Sequence, residues 1–418
     1  MTNKKAHDIF KVSDGDHNLV AKKDSFSCKK MKIFMISNAT SDTNDAQAIH
    51  IKEVFNNLSD LCDIYLFAPK PRDVLNFEDI ENITRIPMTS LPILKHILFN
   101  LFLFIYLIRR CLRTQPDVFY VRYSIFLYSY ILISKIFKIP FVVEVNELSI
   151  EEFKINNNRG LLATIAVIAF TKLSEELKYK HAKKIITVSP GIKRYILTNH
   201  KININDVIII PNGANTDLFR PIDQEKLRKK LGVDNNYIYV GFSGSFSRWH
   251  GLVELVKSAP LILKKDQKAK FILVGNGTMK KLICQMVTDL QINDSFVLFD
   301  AVPYKEVPKY INAFDIGVIL KEKSIPGSPL KLWEYMACGI PVVATLSEDF
   351  NVLEKCNGGI LANPDNPEEV SNAILTLLKN KKLRKEMGNN GRNYVIRNHS
   401  WKVVAERIGS VINEVLVK

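Results

Sequence analysis

The segment 328–345 reads SPLKLWEYMACGIPVVAT and spaces three polar residues so that they could bind an anion and a diol. Ser328, Lys331 and Glu334 are three residues apart, so a helix would place a hydroxyl, an ammonium and a carboxylate on one face. A cation near a helix N-terminus costs about 0.3–1 kcal/mol, so Lys331 needs an explanation. A phosphate bound by the helix N–H groups and Lys331 would supply one. Glu334, one turn deeper, is suited to accept hydrogen bonds from a ribose diol.

The ends of this helix are signalled by its flanking residues. Ser328 is expected as the N-cap, Pro329 as the first helical residue and Gly339 as the C-terminal cap. The alternative to an anion site is a solvated face with an ion pair between Lys331 and Glu334. A lysine placed before a glutamate is the less stable order of such a pair, so the alternative explains the sequence less well.

A glycine-rich stretch, residues 241–251, forms a second candidate site. It reads GFSGSFSRWHG between an apolar strand pattern and an amphipathic helix pattern. Glycine lets the backbone approach a phosphate, and Arg248 can bind one with two hydrogen bonds. The stretch LVGNG at 273–277 repeats the pattern. The chain has neither a complete GxGxxG nor a GxxxxGK[ST] motif, which disfavours a dinucleotide-binding or P-loop enzyme.

The composition narrows the class of partner. The chain has 418 residues, and 58 Lys and Arg against 43 Asp and Glu give a formal charge of +15. A basic balance favours phosphorylated small molecules, anionic membranes or nucleic acid. The sequence has no aromatic and basic platform for single strands and no recognisable reading helix, so nucleic acid is not expected. The six cysteines and eight histidines have no metal-ligand spacing, and the cysteines are expected to be reduced thiols in a cytoplasm.

Short β-branched runs alternate with helical patterns along nearly the whole chain. Six strands are predicted between residues 32 and 211, and six more between 237 and 362. Such apolar runs are typical of parallel sheets covered on both faces, and the alternation predicts two doubly wound α/β domains. The predicted domains are 31–215 and 216–400, with a last helix over roughly 401–416. Ligands of open α/β sheets bind beyond the carboxyl ends of the strands, so the two domains are expected to face one cleft.

Two further segments carry predictions of their own. Residues 1–30 lack an apolar core and are expected to be a disordered, dispensable extension rather than a secretory signal. Residues 97–108, ILFNLFLFIYLI, are flanked by basic residues and are too short to span a bilayer. They predict either a buried helix or a helix that lies in the surface of an anionic membrane.

Five stretches together resemble glycosyltransferase family 4, retaining enzymes of the GT-B fold. They are VIIIPNGANTDLFRP (207–221), VGFSGSFSRWHG (240–251), LVGNG (273–277), SPLKLWEYMACGIPVVA (328–344) and SW (400–401). The resemblance extends from about residue 31 to the C-terminus and is strongest in the second half. It implies that the second domain binds a nucleotide-sugar donor and the first domain the acceptor. It also implies that no metal or cofactor is needed and that the last helix crosses back to the first domain.

The resulting site prediction has three parts. Catalytic roles are assigned to Lys331, Glu334 and Arg248. Donor-binding roles are assigned to Gly244, Ser245, His250, Gly275, Gly327, Ser328 and Leu330. Cleft or acceptor roles are assigned to Asn38, Arg122, Asn146 and Asn212, with a surface position as the alternative for Arg122. Glu144 is expected either to be buried and paired or to contact the acceptor, and His50 is expected to be a capping or packing residue rather than a catalyst.

The chain departs from the family pattern at several positions. The first of two family glutamates falls at Pro326, and the family arginine and lysine for the diphosphate fall at Ser245 and His250. Asn146 takes the place of a cleft histidine, and the usual glycines of the first loop are replaced by Asn38 and the residues up to 44. Arg248 and Lys331 are expected to supply the lost positive charge.

The sequence thus predicts a metal-independent, retaining glycosyltransferase that acts on a glycan or lipid-linked acceptor. It is expected in the cytoplasm, peripherally on the inner face of the membrane. The rival interpretation is a catalytically weak subunit of the same fold that binds a nucleotide or a partner, suggested by Pro326 and Asn146. The nucleotide, the sugar, the acceptor and the oligomeric state are not specified by the sequence.

Overall fold

The computed structural model of the protein describes residues 31–39, 45–70, 82–89, 91, 94–148 and 161–417. The predicted extension 1–30 and the loop residues 40–44 lie outside the described residues.

Seven parallel strands form the first sheet, in the order β3-β2-β1-β4-β5-β6-β7. They are β1 (Lys32–Ile36), β2 (Asp63–Pro69), β3 (Ile83–Ile86), β4 (Val118–Arg122), β5 (Phe141–Val145), β6 (Lys184–Thr187) and β7 (Val207–Ile209). In the centre of the sheet, Ile33 of β1 pairs with Ile64 of β2 and Val118 of β4. The chain reverses its direction of winding between β1 and β4, which is where such sheets bind ligands.

Five described helices cover this sheet. They are α1 (Ala46–Ser59), α2 (Leu94–Thr114), α3 (Ser129–Phe137), α4 (Leu161–His181) and α5 (Pro190–Asn199). Helix α1 begins where the Asp45 carboxylate accepts a hydrogen bond from the Ala48 N–H at 2.8 Å. It packs on one face of the sheet, whereas α2, α3, α4 and α5 contribute to the apolar core on the other face.

A second parallel sheet of six strands has the order β10-β9-β8-β11-β12-β13. The strands are β8 (Ile238–Ser243), β9 (Ala269–Val274), β10 (Phe296–Phe299), β11 (Ile316–Ile319), β12 (Val342–Thr345) and β13 (Gly359–Ala362). Its helices are α6 (Gln224–Leu231), α7 (Leu252–Lys265), α8 (Lys280–Asp289), α9 (Val307–Ile311), α10 (Leu330–Ala337), α11 (Val352–Lys355), α12 (Pro367–Lys379) and α13 (Lys381–Asn398). The topology repeats that of the first sheet, with the reversal between β8 and β11.

The last helix, α14 (Trp401–Val417), joins the two halves of the molecule. It follows α13 of the second domain and packs against α1 of the first domain. Trp401, Val404 and Ile408 are buried in the same apolar cluster as Ile51 and Val54 of α1. The predicted α/β architecture, with two doubly wound domains and a crossing C-terminal helix, is confirmed.

Two local differences from the sequence prediction have clear physical reasons. Strand β3 was not predicted because its sequence, ITRI, is short and only half apolar, as suits a strand at the edge of the sheet. Helix α2 buries one face through residues such as Leu103 and Leu107, but leaves apolar residues on its opposite face exposed. Neither of the two predictions from the sequence, a buried helix or a helix at a membrane surface, therefore describes the whole of α2. None of the described helices combines the length and apolarity needed to cross a membrane.

Candidate active site

The carboxyl-end edges of the two sheets meet across a cleft that side chains bridge. The Asp349 carboxylate accepts hydrogen bonds from the Gly191 N–H of the first domain at 2.9 Å and the Gly327 N–H of the second at 2.8 Å. Asn212, which follows β7, donates through its backbone N–H to Ser328 Oγ at 3.2 Å and through Nδ2 to the Ser328 carbonyl oxygen at 2.6 Å. Asn212, Gly327 and Ser328 are thus placed together in the cleft, and both domains contribute residues to it.

Helix α10 presents its N-terminus to this cleft, but not with the cap that the sequence predicts. Ser328 Oγ accepts hydrogen bonds from Trp333 Nε1 at 2.9 Å and from Asn212, so it does not cap the helix. Pro329 occupies the N-cap position and the helix begins at Leu330. The prediction of Ser328 as the N-cap is therefore wrong, because the buried indole N–H of Trp333 competes for the same oxygen. At the other end, Cys338 rather than the predicted Gly339 is the C-cap, and Gly339, with φ of 75°, is the next residue.

The predicted polar face of α10 is buried rather than solvated. Glu334 is 7% exposed and Ser328 8% exposed. The Leu330 side chain packs in the apolar cluster of the first domain, so only its backbone faces the cleft. Lys331 does not form the ion pair with Glu334 that the alternative interpretation requires, because its Nζ has no hydrogen-bond partner among the described residues.

Lys331 is therefore a buried ammonium without a counter-charge in hydrogen-bond contact. Its Nζ lies 4.1 Å from the centroid of the Phe242 ring, the one cation contact that the structure gives it. Burial lowers the pKa of Lys331 to about 7, and the charge of Lys321 lowers it further while Glu334 opposes the shift. An anion entering beside Lys331 would remove this penalty.

Two glycines make room for that anion. Gly244 has φ of 140°, and a β-carbon there would lie 2.7 Å from Lys331 Nζ. Gly275 has φ of 146°, and a β-carbon there would lie 1.9 Å from the Gly244 carbonyl oxygen. Any other residue would be strained at both positions. At position 244 its β-carbon would fill the space beside Lys331, and at position 275 it would collide with the backbone of Gly244. The glycine-rich loops after β8 and β9, which the sequence analysis singles out, thus lie against each other, and the first of them borders Lys331.

The 3-10 turn after β8 brings one predicted residue inward and leaves another outside. His250 donates from Nδ1 to the Ser245 carbonyl oxygen at 2.5 Å, and burial with the neighbouring Lys331 charge lowers the pKa of His250 to about 3. It is therefore neutral at pH 7 and available as a hydrogen-bonding group. Arg248 and Ser245 are exposed. A role for Arg248 stays a prediction.

Glu334 has neighbours that the sequence does not predict. The Tyr304 hydroxyl donates a hydrogen bond to it, and burial raises the pKa of Glu334 to about 7, with the charge of Glu53 adding to the shift. Glu53 belongs to α1 of the first domain and accepts a hydrogen bond from Asn215 Nδ2 at 3.2 Å. Glu334 is thus a buried carboxyl held by a phenol, at the place where the two domains approach each other.

At the first-domain edge, Arg122 is buried rather than on the surface. Its Nη1 lies 2.9 Å from His50 Nδ1, so the guanidinium donates and Nδ1 accepts. The proton of the neutral imidazole is then on Nε2, which lies 3.1 Å from the Glu144 carboxylate. Burial lowers the pKa of His50. Burial alone would raise the pKa of Glu144, but its interactions with His50 and Arg122 hold the pKa of Glu144 below its usual value. Asn146 Nδ2 is 3.3 Å from the same His50 nitrogen, at the edge of this buried chain.

A polar pocket of about 330 Å³ opens beside Arg122. Gln47 and Glu147 face each other in its lining, with Gln47 Nε2 donating to Glu147 at 3.2 Å. Asn38, Met88, Lys95, His96, Tyr123, Ser124 and Phe126 also line it. A carboxylate, amides and aromatic rings in one concave site are the groups that bind sugar hydroxyls and ring faces.

Sequence reasoning missed four groups of this cleft. Lys321 lies two residues after the last residue of β11, so its position near the carboxyl end of a strand was a usable signal. Glu53, Tyr304 and Asp349 gave none, since each reaches the cleft through packing between elements that are distant in sequence. Among the described residues, no group of three or more histidine, cysteine or carboxylate side chains is placed to hold a metal ion.

Two family models match separate parts of the chain. Residues 223–394 match the model described as glycosyl transferases group 1, and residues 47–218 match the model described as glycosyltransferase family 4. The two matches together extend over most of both domains.

Individual relatives match over part of their length. An uncharacterized glycosyltransferase of Methanocaldococcus jannaschii is 29% identical over 56% of this chain and 59% of that protein. A GDP-mannose-dependent monoacylated alpha-(1-6)-phosphatidylinositol monomannoside mannosyltransferase of Corynebacterium glutamicum is 23% identical over 49% of this chain and 55% of that protein. The matched region therefore spans a little over half the length of these curated relatives.

Among solved structures, the Anabaena protein HepE in complex with UDP is similar to this chain. The TM-score is 0.73 at 18% identity, covering 92% of this chain and 100% of HepE. At this identity the likeness shows the fold alone. The predicted GT-B arrangement of two facing α/β domains is confirmed.

Proposed function

Because the chain belongs to glycosyltransferase family 4, we propose that it transfers a sugar, with retention, from a nucleoside diphosphate to a hydroxyl of a glycan or lipid-linked acceptor. The observation that carries this proposal is the buried, unpaired ammonium of Lys331 at the N-terminus of α10. It faces glycine loops with room for a ligand and has a buried carboxyl one turn behind it.

The diphosphate is proposed to bind in front of Lys331. The charge of Lys321 lowers the pKa of Lys331, and the charge of Lys331 lowers the pKa of His250. These three side chains therefore lie close to one another. A dianionic ligand would be stabilised by the two ammonium groups and by N–H groups of the α10 N-terminus. Desolvated cations of this kind stabilise charge more strongly than the same groups in water.

The ribose is proposed to bind Glu334. A carboxylate accepts two hydrogen bonds from a vicinal diol, and Glu334 lies one helical turn beyond Lys331. Donor binding would deprotonate Glu334, since hydrogen bonds to the charged form lower its pKa. Tyr304 already donates to this carboxyl and would keep its orientation while the ribose enters.

Retention is proposed to proceed on one face of the sugar. The acceptor oxygen bonds to the anomeric carbon on the side from which the diphosphate leaves, the bond from that carbon to the phosphate oxygen breaks, and the acceptor proton passes to the departing phosphate. A double displacement would need a carboxylate close to the anomeric carbon, and the family position for a sugar-contacting glutamate is Pro326 here. The protein would then act mainly by stabilising charge on the leaving group.

Pro326 supports the second candidate function, a nucleotide-binding subunit with weak turnover. It packs so close to the first domain that a β-carbon on Gly191 would lie 2.5 Å from Pro326 Cβ. The position at which the family has a sugar-contacting glutamate is thus occupied in this chain by a proline that packs against the first domain. Nucleotide binding without any transfer or donor hydrolysis would favour this candidate over the enzyme.

The location of the protein is part of the proposal. We place it in the cytoplasm, peripherally bound to an anionic inner membrane surface through α2. The support is the basic C-terminal end of that helix, with Arg109, Arg110 and Arg113, together with its exposed apolar face. One relative is named for a phosphatidylinositol mannoside acceptor, which is consistent with a lipid-linked substrate.

A thermal-shift screen of UDP, GDP, CMP and dTDP sugars tests the proposal. A donor at 100 times its dissociation constant stabilises the folded state by about 2.7 kcal/mol. We expect one nucleotide series to raise the melting temperature of the native protein and to lose most of this effect in Lys331→Ala. Equal shifts in the native protein and the variant, or no shift with any nucleotide, would contradict the proposed donor site.

A further inference from the structure

Helix α2 is apolar on its outer face as well as on its buried face. Ile97 is 60% exposed and Leu101 52% exposed, and Leu94, Ile105 and Leu112 continue the row along the helix. Spacings of three, four and seven residues place all of them on one side of the helix. An apolar row of this length facing solvent is unusual for a soluble surface and indicates an interaction site.

The neighbouring helices extend this surface. On α3, Leu132 and Ile136 are exposed, one turn apart. On α4, Phe170, Leu173 and Leu177 are exposed at helical spacing, with Leu173 at 67%. Three consecutive helices of the same sheet face thus leave apolar residues uncovered. We call these outer surfaces of α2, α3 and α4 the apolar face.

The turn at 124–128 holds the three helices together as one continuous surface. Asn100 of α2 donates from Nδ2 to the Phe126 carbonyl oxygen at 2.6 Å and accepts from the Ser129 N–H at 3.1 Å. The Phe126 ring stacks on His96 of α2 at 4.2 Å and on Phe170 of α4 at 5.7 Å between ring centroids. The apolar face is therefore rigidly built and not a set of separate helices.

The buried Lys178 of α4 fixes this turn from beneath. Its Nζ donates to the Ile125 carbonyl oxygen and to Ser174 Oγ, each at 2.8 Å, and to the Ser124 carbonyl oxygen. Three hydrogen bonds satisfy the ammonium completely. Phe126 is thereby held in position although 40% of it is exposed.

The charge around the apolar face is mainly positive. Basic side chains at its edges and between its apolar rows are exposed or half-exposed: Lys95, Arg109, Arg113, Lys135, Lys172 and Lys180. Among the described residues of the three helices, Glu176 is the one exposed acidic side chain. A surface that is apolar in the middle and basic around it matches the acyl boundary and phosphate layer of an anionic bilayer.

We propose that the apolar face docks on an anionic lipid bilayer and that the pocket beside Arg122 opens at the bilayer surface, so that its acceptor is a lipid-anchored molecule. This rests on the proposed transfer to an acceptor and extends the membrane contact from one helix to three. Phe126 provides the link, because it lines the pocket and its ring stacks on Phe170 of the apolar face. A headgroup would reach Gln47 and Glu147 while its lipid stays in the membrane.

The same observations disfavour a second copy of the chain as the occupant. A two-fold symmetric contact would place the basic edges of two identical surfaces against each other. Like charges brought together in a partly buried contact repel. Anionic phospholipid instead supplies the opposite charge at every basic edge.

Vesicle sedimentation tests the docking. With phosphatidylcholine vesicles containing 30% phosphatidylglycerol, the native protein should sediment, and Arg109→Glu with Arg113→Glu should weaken partitioning at least about 25-fold, since each basic residue near an anionic surface contributes about fivefold. Leu101→Asp should abolish most of the remaining binding. The matched controls are Lys264→Glu and Leu282→Asp, exposed residues of α7 and α8 in the second domain, which should bind like the native protein.

The outcomes separate this inference from the proposed function. The nucleotide-induced thermal shift should be the same in all these variants, because none of them touches the α10 site. Equal sedimentation of the native protein and the α2 variants would overturn the docking while leaving glycosyl transfer intact. A dimer in light scattering that Leu101→Asp converts to a monomer, without any vesicle binding, would also overturn it.

Fluorescence quenching tests the position of the pocket. A tryptophan introduced by Phe126→Trp should be quenched by phospholipids brominated on their acyl chains. Leu290→Trp, at an exposed position at the end of α8, is the matched control and should not be quenched beyond the native protein. Vesicle binding with quenching absent at position 126 would contradict a pocket that opens at the bilayer.

Discussion

The two edges of the cleft are assembled in opposite ways. At the second-domain edge, Lys331 and Glu334 lie on one short helix, and Gly244 and Gly275 end two adjacent strands. At the first-domain edge, the pocket collects side chains from loops and helices between residues 38 and 147. Local spacing is visible in a sequence, whereas a pocket lined from many segments is not. The second-domain edge could therefore be described residue by residue from the sequence, and the first-domain edge only as a region.

The largest effect is expected at Lys331. Lys331→Ala should lower kcat by roughly 10²–10³, the usual scale for removing one group that stabilises charge developing in the transition state. The measurement is steady-state transfer with the donor found in the nucleotide screen. Lys264→Ala on the exposed face of α7 is the control and should be unchanged.

Lys331 also separates a catalytic role from a structural one. In the absence of donor, Lys331→Ala should leave the melting temperature unchanged or raise it slightly, because it removes an unpaired buried cation. A lower melting temperature with turnover intact would mean that Lys331 stabilises the fold. The second-domain edge would then have no lysine that acts on the diphosphate.

Glu334 should show a different kinetic signature. Glu334→Gln keeps the shape of the side chain but weakens hydrogen bonds to a ribose that does not change during the reaction. Donor KM should therefore rise about 10- to 100-fold, as expected for hydrogen bonds to a charged group, while kcat falls less. Glu354→Gln, an exposed change on α11, is the control. A fall in kcat alone would place Glu334 at the reacting atoms instead.

A substitution at the first-domain edge sharpens the comparison. Glu147→Gln should reduce transfer to acceptors in membrane vesicles about five- to tenfold, since one charged hydrogen-bond acceptor of the pocket is lost. Donor hydrolysis and the nucleotide-induced thermal shift should stay as in the native protein. Loss of nucleotide binding in this variant would show that the two edges are one site and that their separation is wrong.

The last prediction concerns the pH dependence of folding stability rather than catalysis. Between pH 7 and 10.5 Lys331 is neutral in the folded state and charged in the unfolded chain, so the free energy of unfolding should rise with pH. Between pH 4.5 and 7 Glu334 is protonated in the folded state and ionised in the unfolded chain, so the free energy should fall. The donor-free protein should have a stability minimum near pH 7 from these two groups.

Urea unfolding at pH 5.5, 7 and 9 measures this dependence, with slopes of at most about 1.4 kcal/mol per pH unit for each group. Relative to the native protein, Lys331→Met should remove the rise in the free energy of unfolding above pH 7. Glu334→Gln should remove the fall in the free energy of unfolding between pH 4.5 and 7. Identical pH profiles for all three proteins would mean that neither group has the shifted pKa assigned to it.

Much of the fold was accessible from the sequence because its elements are locally encoded. Apolar runs such as those of β8 and β9 predict buried parallel strands, and their alternation with helical patterns predicts two doubly wound sheets. The exception, β3, is an edge strand with half of its residues polar. Edge strands are covered less, so they need fewer apolar residues and give a weaker pattern.

By itself, the sequence determined the two-domain α/β fold, the helix that carries Lys331 and Glu334, and the glycines that leave space in front of it. Only the tertiary structure decided that Ser328 bonds the Trp333 indole, that Tyr304 holds Glu334, and that Arg122 points to a buried His50. It also decided that the apolar side chains of α2, α3 and α4 form one uncovered face. The physical reason is range: periodicity and turn chemistry act within a few residues, whereas burial, charge and pairing depend on which distant segments packing brings together.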